Sequence, residues 1–454
     1  MLRPQQGGLS WYGIVRLGLV QTCLGAVVVL TTSTINRIMV VELALPAMIP
    51  GLLVGLHHAV QMSRPHFGYG SDVGGRTTGW IIAGMVILSL GGFAAACGTV
   101  WASTAVNAGI ALCTAGFFLI GLGASAAGTS LLVTLAKYVA PERKPAAATI
   151  VWIMMIFGFA VTAGVAGHFL DPFSPSRLLL VSAVVSCMAV AVTLLAVFRL
   201  EPKSPSSANS FPRHAGAADF RRSLGEVWRE THARRFTLFV MVSMLAYSAQ
   251  DLILEPYAGT VFGLTPGQST QMAGVQHSGV LAGMIVVAVF SLFRSLATVA
   301  ELRRWSVAGC FLSALALLAI AFGGQWPDSW PLHLNVFLLG LFNGAFVIAA
   351  IALMMTLADQ GASRREGLRM GLWGAAQAIA FAVGGFLGTV AVDLSRLFIS
   401  DVALAYGVVF SGEAGLFFLA VIFGMRVQAS REAEGQATGP SFGQVAMVEM
   451  LDAR

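Results

Sequence analysis

Apolar runs of bilayer length recur about twelve times along this chain, and very few folds can accommodate that. They fall at roughly 14–35, 44–62, 79–98, 107–136, 149–170, 177–198, 236–257, 272–293, 305–324, 332–357, 370–392 and 402–425, near the ~20 residues a helix needs to cross the hydrocarbon layer. Inside lipid every backbone N–H and C=O must be paired within the segment, so each run predicts a helix. Composition supports the same conclusion. With 57% hydrophobic and 11% charged residues over 454 positions, a soluble fold would expose large apolar patches. The 51 glycines suit close helix packing in lipid. The expected fold class is an all-α polytopic membrane protein.

Six runs precede the long polar connection from Arg199 to Arg235, and six follow it. This predicts an N-terminal six-helix bundle over 1–198, a cytoplasmic linker over 199–235, a C-terminal six-helix bundle over 236–425, and a disordered cytoplasmic tail over 426–454. In the linker, Phe220, Leu224, Val227 and Trp228 recur at helical spacing, flanked by Arg221, Arg222, Arg229, Arg234 and Arg235. That pattern predicts a short basic amphipathic helix on the inner leaflet. With the N-terminus inside, only Arg37, Arg177 and Arg396 of the 27 Lys and Arg fall on outward ends or loops. The bias sets both termini on the cytoplasmic side. It also assigns the net charge of +6 to membrane topology rather than to nucleic acid. Cys23, Cys97, Cys113, Cys187 and Cys310 all lie within apolar runs without ligand spacing, which predicts packing thiols, not disulfides or a metal site.

The loop between the second and third runs carries Gly68, Asp72, Gly75 and Arg76 in the spacing Gly-x-x-x-Asp-x-x-Gly-Arg. Glycine permits a tight turn, and Asp72 can serve a helix N-terminus or a basic partner. This spacing resembles the signature loop of the major facilitator superfamily. With twelve spans in a six-plus-six plan, it implies two pseudo-symmetric six-helix bundles, the major facilitator fold. The corresponding segment of the second half, Arg294 to Arg304, keeps basic residues but lacks the glycine and aspartate positions.

Polar side chains inside the runs are few, and an ionisable group there is a functional-site candidate. Asn36 and Arg37 close the first run, with Glu42 in the outer turn that follows. The seventh run carries Gln250, Asp251 and Glu255 ahead of Pro256. Asp251 and Glu255, four apart, share a helix face, and Pro256 is expected to end the helix. Both acids could equally reach the aqueous interface or pair with a neighbouring helix. The proposed arrangement sets Arg37 against Asp251 or Glu255 across the pseudo-twofold axis, as an outer gate or polar floor. His57, His58 and His277 could ligate the magnesium of a chlorophyll-type macrocycle; hydrogen bonding to neighbouring helices is the plainer role. His57 and His58 point about 100° apart on a helix, so at most one faces a cavity. Asn343 and Gln377 could serve either packing or a cavity. Gly121-Leu122-Gly123 reads as close helix packing. The chain lacks a Gly-x-x-x-x-Gly-Lys-Ser/Thr loop, a zinc spacing and a serine nucleophile elbow, which argues against ATP-driven transport, metal catalysis and an enzyme. No catalytic or metal-binding residue is assigned.

The stretch Gln250-Asp251-Leu252-Ile253-Leu254-Glu255-Pro256-Tyr257-Ala258-Gly259-Thr260-Val261-Phe262-Gly263 resembles a signature of the bacteriochlorophyll delivery family, the PucC/LhaA group. Asn36-Arg37-Ile38-Met39-Val40-Val41-Glu42-Leu43 and Arg64-Pro65-His66-Phe67-Gly68-Tyr69-Gly70-Ser71-Asp72 are similar to its first-helix and inner-loop patterns. The resemblance implies help in assembling light-harvesting complexes in the inner or intracytoplasmic membrane of a photosynthetic bacterium. It implies (bacterio)chlorophyll as cargo, with no permanently bound cofactor. Lipid, antenna polypeptides, chlorophyll synthase and the membrane-insertion machinery are the implied partners. It supplies no ligand residue, so the site residues above rest on their own chemistry. Two other readings stay open: a proton-coupled transporter of a small solute using Asp251 or Glu255, and a pigment-free assembly scaffold.

Overall fold

The computed structural model describes residues 9–64, 67, 77–140, 143–200, 230–293, 298–359 and 366–427. Twelve long helices run through these residues: α1 Trp11–Val29, α2 Met48–Val60, α3 Thr77–Ala102, α4 Val106–Tyr138, α5 Lys144–Leu170, α6 Pro175–Val197, α7 Thr231–Val261, α8 Pro266–Phe293, α9 Val299–Gly323, α10 Leu332–Asp359, α11 Glu366–Phe398 and α12 Val402–Met425. Eleven helical segments among the described residues are long and apolar enough to cross a membrane. The chain is a multi-pass membrane protein. The second expected run, 44–62, forms α2 of 13 residues, extended by a 3-10 turn over Gln61–Ser63.

The described chain divides into two compact units. The first holds α1 to α6 together with Gly263–His277, the opening half of α8; the second holds α7, the rest of α8 and α9 to α12. Within the first unit α1 packs on α5 and α6, α3 on α4 and α6, and α2 on α4. Within the second, α7 packs on α11 and α12, and α9 on α10 and α12; α8 meets α10 through Gly279, Gly283 and Gly344. Adding six to each helix number of the first pattern reproduces the second. The duplication legible in the sequence is thus a duplication of helix partners.

Glycine sets how closely these partners approach. Gly84, Gly91 and Gly98 on α3 meet Gly123, Gly116 and Gly109 on antiparallel α4. The seven-residue spacing keeps all six on the shared seam. A Cβ built on Gly91 would lie 2.7 Å from Gly116 O, and one on Gly98 2.8 Å from Cys113 N. Backbone meets backbone there, as small residues permit in membrane helices. Gly121, which would meet the His57 carbonyl at 2.6 Å, plays the packing role expected of it. Large apolar side chains such as Leu195, Phe398 and Leu397 point outward, as a lipid-facing surface requires. Cys23, Cys113 and Cys310 are buried and Cys97 is half-buried, whereas Cys187 is exposed; the expectation of buried packing thiols fails at that position.

The basic linker helix through Phe220, most of the 426–454 tail, and the loop carrying Gly68, Asp72, Gly75 and Arg76 lie outside the described residues.

Candidate functional site

Helix α1 does not stop where its apolar run ends. The helical backbone continues through two π-helical segments, Leu30–Ile35 and Ile38–Glu42. The wider register shows in the Leu43 N–H bond to the Ile38 carbonyl at 3.0 Å. Ala44 then turns with φ of 51°, the left-handed conformation that commonly terminates helices. Asn36 and Arg37 therefore sit inside a continuous helix rather than closing it, and Glu42 ends that helix rather than standing in a separate turn. On an α-helix, residues five apart point about 140° away from each other. The π register brings them together. π segments of this kind occur frequently at functional sites.

The consequence is an ion pair between Arg37 and Glu42. Arg37 is buried to 2% exposure, and its second terminal nitrogen donates to the Leu264 carbonyl at 2.6 Å. The partners described for this guanidinium lie within the first unit. Arg37 Nε has no hydrogen-bond partner among the described residues. One turn earlier, Thr34 meets Thr270 at 3.0 Å, and Val29 packs with Ala163 and Ala273. Asp171 accepts from Thr265 at 2.8 Å. The start of α8 thus completes the polar end of the first unit.

The histidines differ in what they have left to offer. His57 is buried; its Nε2 faces the Gln61 amide nitrogen at 2.8 Å, and its Nδ1 has no partner among the described residues. His57 and His58 stand edge to face at 4.8 Å. His277 stacks against Phe159 at 4.9 Å, and its Nδ1 has no partner among the described residues.

In the second unit, α7 runs on through Pro256 to Val261, so Pro256 does not end the helix as expected. Proline removes only the N–H that would reach the Leu252 carbonyl, and membrane helices tolerate that loss. The buried stripe of α7 includes Ser243, Ala246, Gln250, Ile253 and Tyr257. Glu255 is also buried, and Asp251 is half-buried. Tyr257 donates to the Ile320 carbonyl at 2.8 Å and packs on Tyr406 and Phe410 of α12. Gln250 is fully enclosed, and neither of its polar atoms has a hydrogen-bond partner among the described residues.

Asn343 on α10 takes a packing role: it accepts from Ser313 on α9 at 2.8 Å, and both are fully buried. One acid of this unit escaped the sequence reading. Glu413 sits midway along α12 at 3% exposure. The signal was present: a lone acid in Ser411-Gly412-Glu413-Ala414-Gly415, inside an otherwise apolar run. Between α9 and α10 lies a cavity of about 410 Å³, walled largely by apolar side chains including Leu315, Leu334 and Phe342. Trp330 and Asn335, also on its wall, bond to each other at 3.1 Å.

The sequence profile described as "PUCC protein" matches residues 34–432, spanning both units and both signature helices. The chain belongs to the PUCC family. A relative from Rhodobacter capsulatus, named "Bacteriochlorophyll synthase 44.5 kDa chain", is 51% identical over 94% of this chain and 97% of its own. "Protein PucC" of the same organism is 28% identical over 90% of this chain and 91% of its own. Among solved structures, a bacterial homologue of the human lysosomal transporter Spinster superposes with a TM-score of 0.66 at 15% identity, covering 92% of this chain and 96% of that one. The peptide transporter POT gives 0.65 at 15% identity, over 91% and 94%. At such low identity these structures establish the fold alone. It is the transporter fold of the major facilitator superfamily, as the glycine-aspartate loop implied. Of the three stretches that resembled family patterns, two are the π-helical end of α1 and the last third of α7.

Proposed function

We propose that this PUCC protein binds (bacterio)chlorophyll in the inner membrane of a photosynthetic bacterium, termini cytoplasmic, and hands the pigment to antenna polypeptides as light-harvesting complexes assemble. The carrying observation is the family match over 34–432, with relatives whose names refer to bacteriochlorophyll synthase and PucC. The chemistry of the described residues supports the reading. A chlorophyll-type pigment needs apolar walls for ring and tail, a neutral nitrogen or oxygen for its magnesium, and a few donors for its carbonyls. In the first unit, His277 Nδ1 is a buried atom of that neutral kind. Arg37 and Asn36 are the donors. The role is non-enzymatic: a pigment-handling chain works beside a synthase without catalysing its reaction, and the family and transporter-like fold support that assignment.

The test is pigment analysis of the protein purified in mild detergent from a pigment-producing host. Wild type is expected to carry stoichiometric bacteriochlorophyll, and the folded Asp251→Ala/Glu255→Ala double variant to lose most of it. His277→Ala tests the magnesium ligand: the pigment's visible absorption should shift or vanish in that variant. Pigment absent from wild type, with antenna polypeptides or synthase co-purifying, would replace delivery by a scaffold role. Absence of both pigment and partners, with pH-dependent solute uptake, would point to transport.

A further inference from the structure

We infer that Glu413, facing Gln250 in the core of the second unit, is a proton-binding site.

The geometry comes from two anchors. Toward the outer end, Tyr257 of α7 packs on Tyr406 and Phe410 of α12. Toward the inner end, a Cβ on Gly424 of α12 would lie 3.2 Å from the ring of Phe239 on α7. The helices are therefore antiparallel and in close contact between those points. From Phe239 to Gln250 is eleven residues, and from Gly424 back to Glu413 is also eleven, about 16 Å along each axis. Gln250 and Glu413 arrive at one level. Both belong to the buried stripes of their helices: Ser243, Ala246, Gln250, Ile253 and Tyr257 on α7; Tyr406, Phe410, Glu413, Phe417 and Ala420 on α12.

Neither carboxylate oxygen of Glu413 and neither polar atom of the Gln250 amide has a hydrogen-bond partner among the described residues. A buried ionised carboxylate requires a cation or several donors. Among the described residues, the mid-helix titratable groups of the helices packed on α12 carry no positive charge. On α7 the titratable groups near this level are Tyr247, Asp251 and, one turn on, Glu255. On α9 the mid-helix titratable group is Cys310, fully buried. From α11 come Asp393 and Arg396, whose charges bear on Tyr406 at the outer end. On α12 itself there is Tyr406. A carboxyl enclosed without a cation or hydrogen-bond donor is accommodated in the neutral form, carrying a proton. Bound to a proton, Glu413 needs no cation partner, and Gln250 is the neutral polar side chain at its level. Asp251, half-buried on the same helix as Gln250, is the group through which that proton exchanges. The site does not depend on pigment binding.

The test uses the full-length protein in lipid nanodiscs, read by infrared difference spectroscopy and by thermal unfolding as pH is raised from mildly acidic to alkaline. Wild type is expected to show the carbonyl band of a protonated carboxylic acid, and to lose stability as rising pH strips the proton. That is the sign required of a group held neutral by the fold. Glu413→Gln should lose the band and the alkaline loss of stability together. A band that survives in Glu413→Gln, or an unchanged pH dependence, overturns the proposal. Should Glu413→Gln fail to fold, Asp251→Asn serves: the Glu413 band should persist with its titration displaced, and an undisplaced titration counts against the site. Stabilisation by sodium at fixed pH, lost in Glu413→Gln, would assign the site to a metal cation instead and overturn the proton.

Discussion

Gly116→Leu is expected to abolish accumulation of folded protein. Gly116 sits at the centre of the α3–α4 seam, where even a Cβ would lie 2.8 Å from Ala95 N and 2.8 Å from Gly91 O. Those are backbone atoms and cannot swing aside. The only relief is to push α3 and α4 away from each other along their whole contact, which also separates the Gly84–Gly123 and Gly98–Gly109 levels. Inserting bulk into a tight core commonly costs about 1–3 kcal/mol; with backbone as the obstacle, the loss should exceed ~3 kcal/mol, a large share of the stability of an ordinary domain. Gly415→Ala is the matched control, because nothing lies within 4 Å of a Cβ there and alanine is the better helix former by ~1 kcal/mol. Fluorescence-detected size exclusion and melting temperature should distinguish the variants. A Gly116→Leu protein that elutes and melts like wild type would refute the seam as described.

Arg37→Met should be nearly as severe, for an electrostatic reason. The variant leaves Glu42 without its cation and the Leu264 carbonyl without its 2.6 Å donor. Removing one member of a buried pair costs about 3–5 kcal/mol. The lower end applies here, since the Glu42 side chain keeps 37% exposure and water can compensate for some of the loss. Arg37→Lys should recover little, because one ammonium cannot reproduce a rigid fork that serves two separate acceptors. Glu42→Gln should be milder than either, as it keeps a hydrogen-bond acceptor for Arg37. The readout is the melting temperature of the three variants in the same lipid nanodisc. Equal melting of Arg37→Lys and wild type would show that charge alone suffices, and that the fork geometry is idle.

These predictions draw on different depths of legibility. The twelve runs, the six-plus-six plan and the family segments could be read directly, because bilayer thickness dictates run length and a pair of acids at the end of an apolar run is conspicuous. Asn36, Arg37, Gln250 and Glu255 were legible as polar side chains inside apolar runs, and all four are buried. Pro256 misled, because a rule drawn from helices in water was applied where backbone bonding has no alternative to the helix. Glu413 was legible and passed over, its neighbours being ordinary packing residues.

What the amino-acid order determined by itself was which segments are helices, how many there are, and that the plan is doubled. Hydrophobic length and backbone pairing in lipid are local properties, and each run carries them without reference to the others. Only the tertiary structure decided the partners. The wide turns after Val29 are a choice of backbone register, invisible in residue type, and they make Arg37 and Glu42 neighbours. The equal eleven-residue distances from the Phe239–Gly424 contact bring Gln250 level with Glu413. Such meetings depend on how far each helix slides along its neighbour, and close packing over the full seam selects that offset.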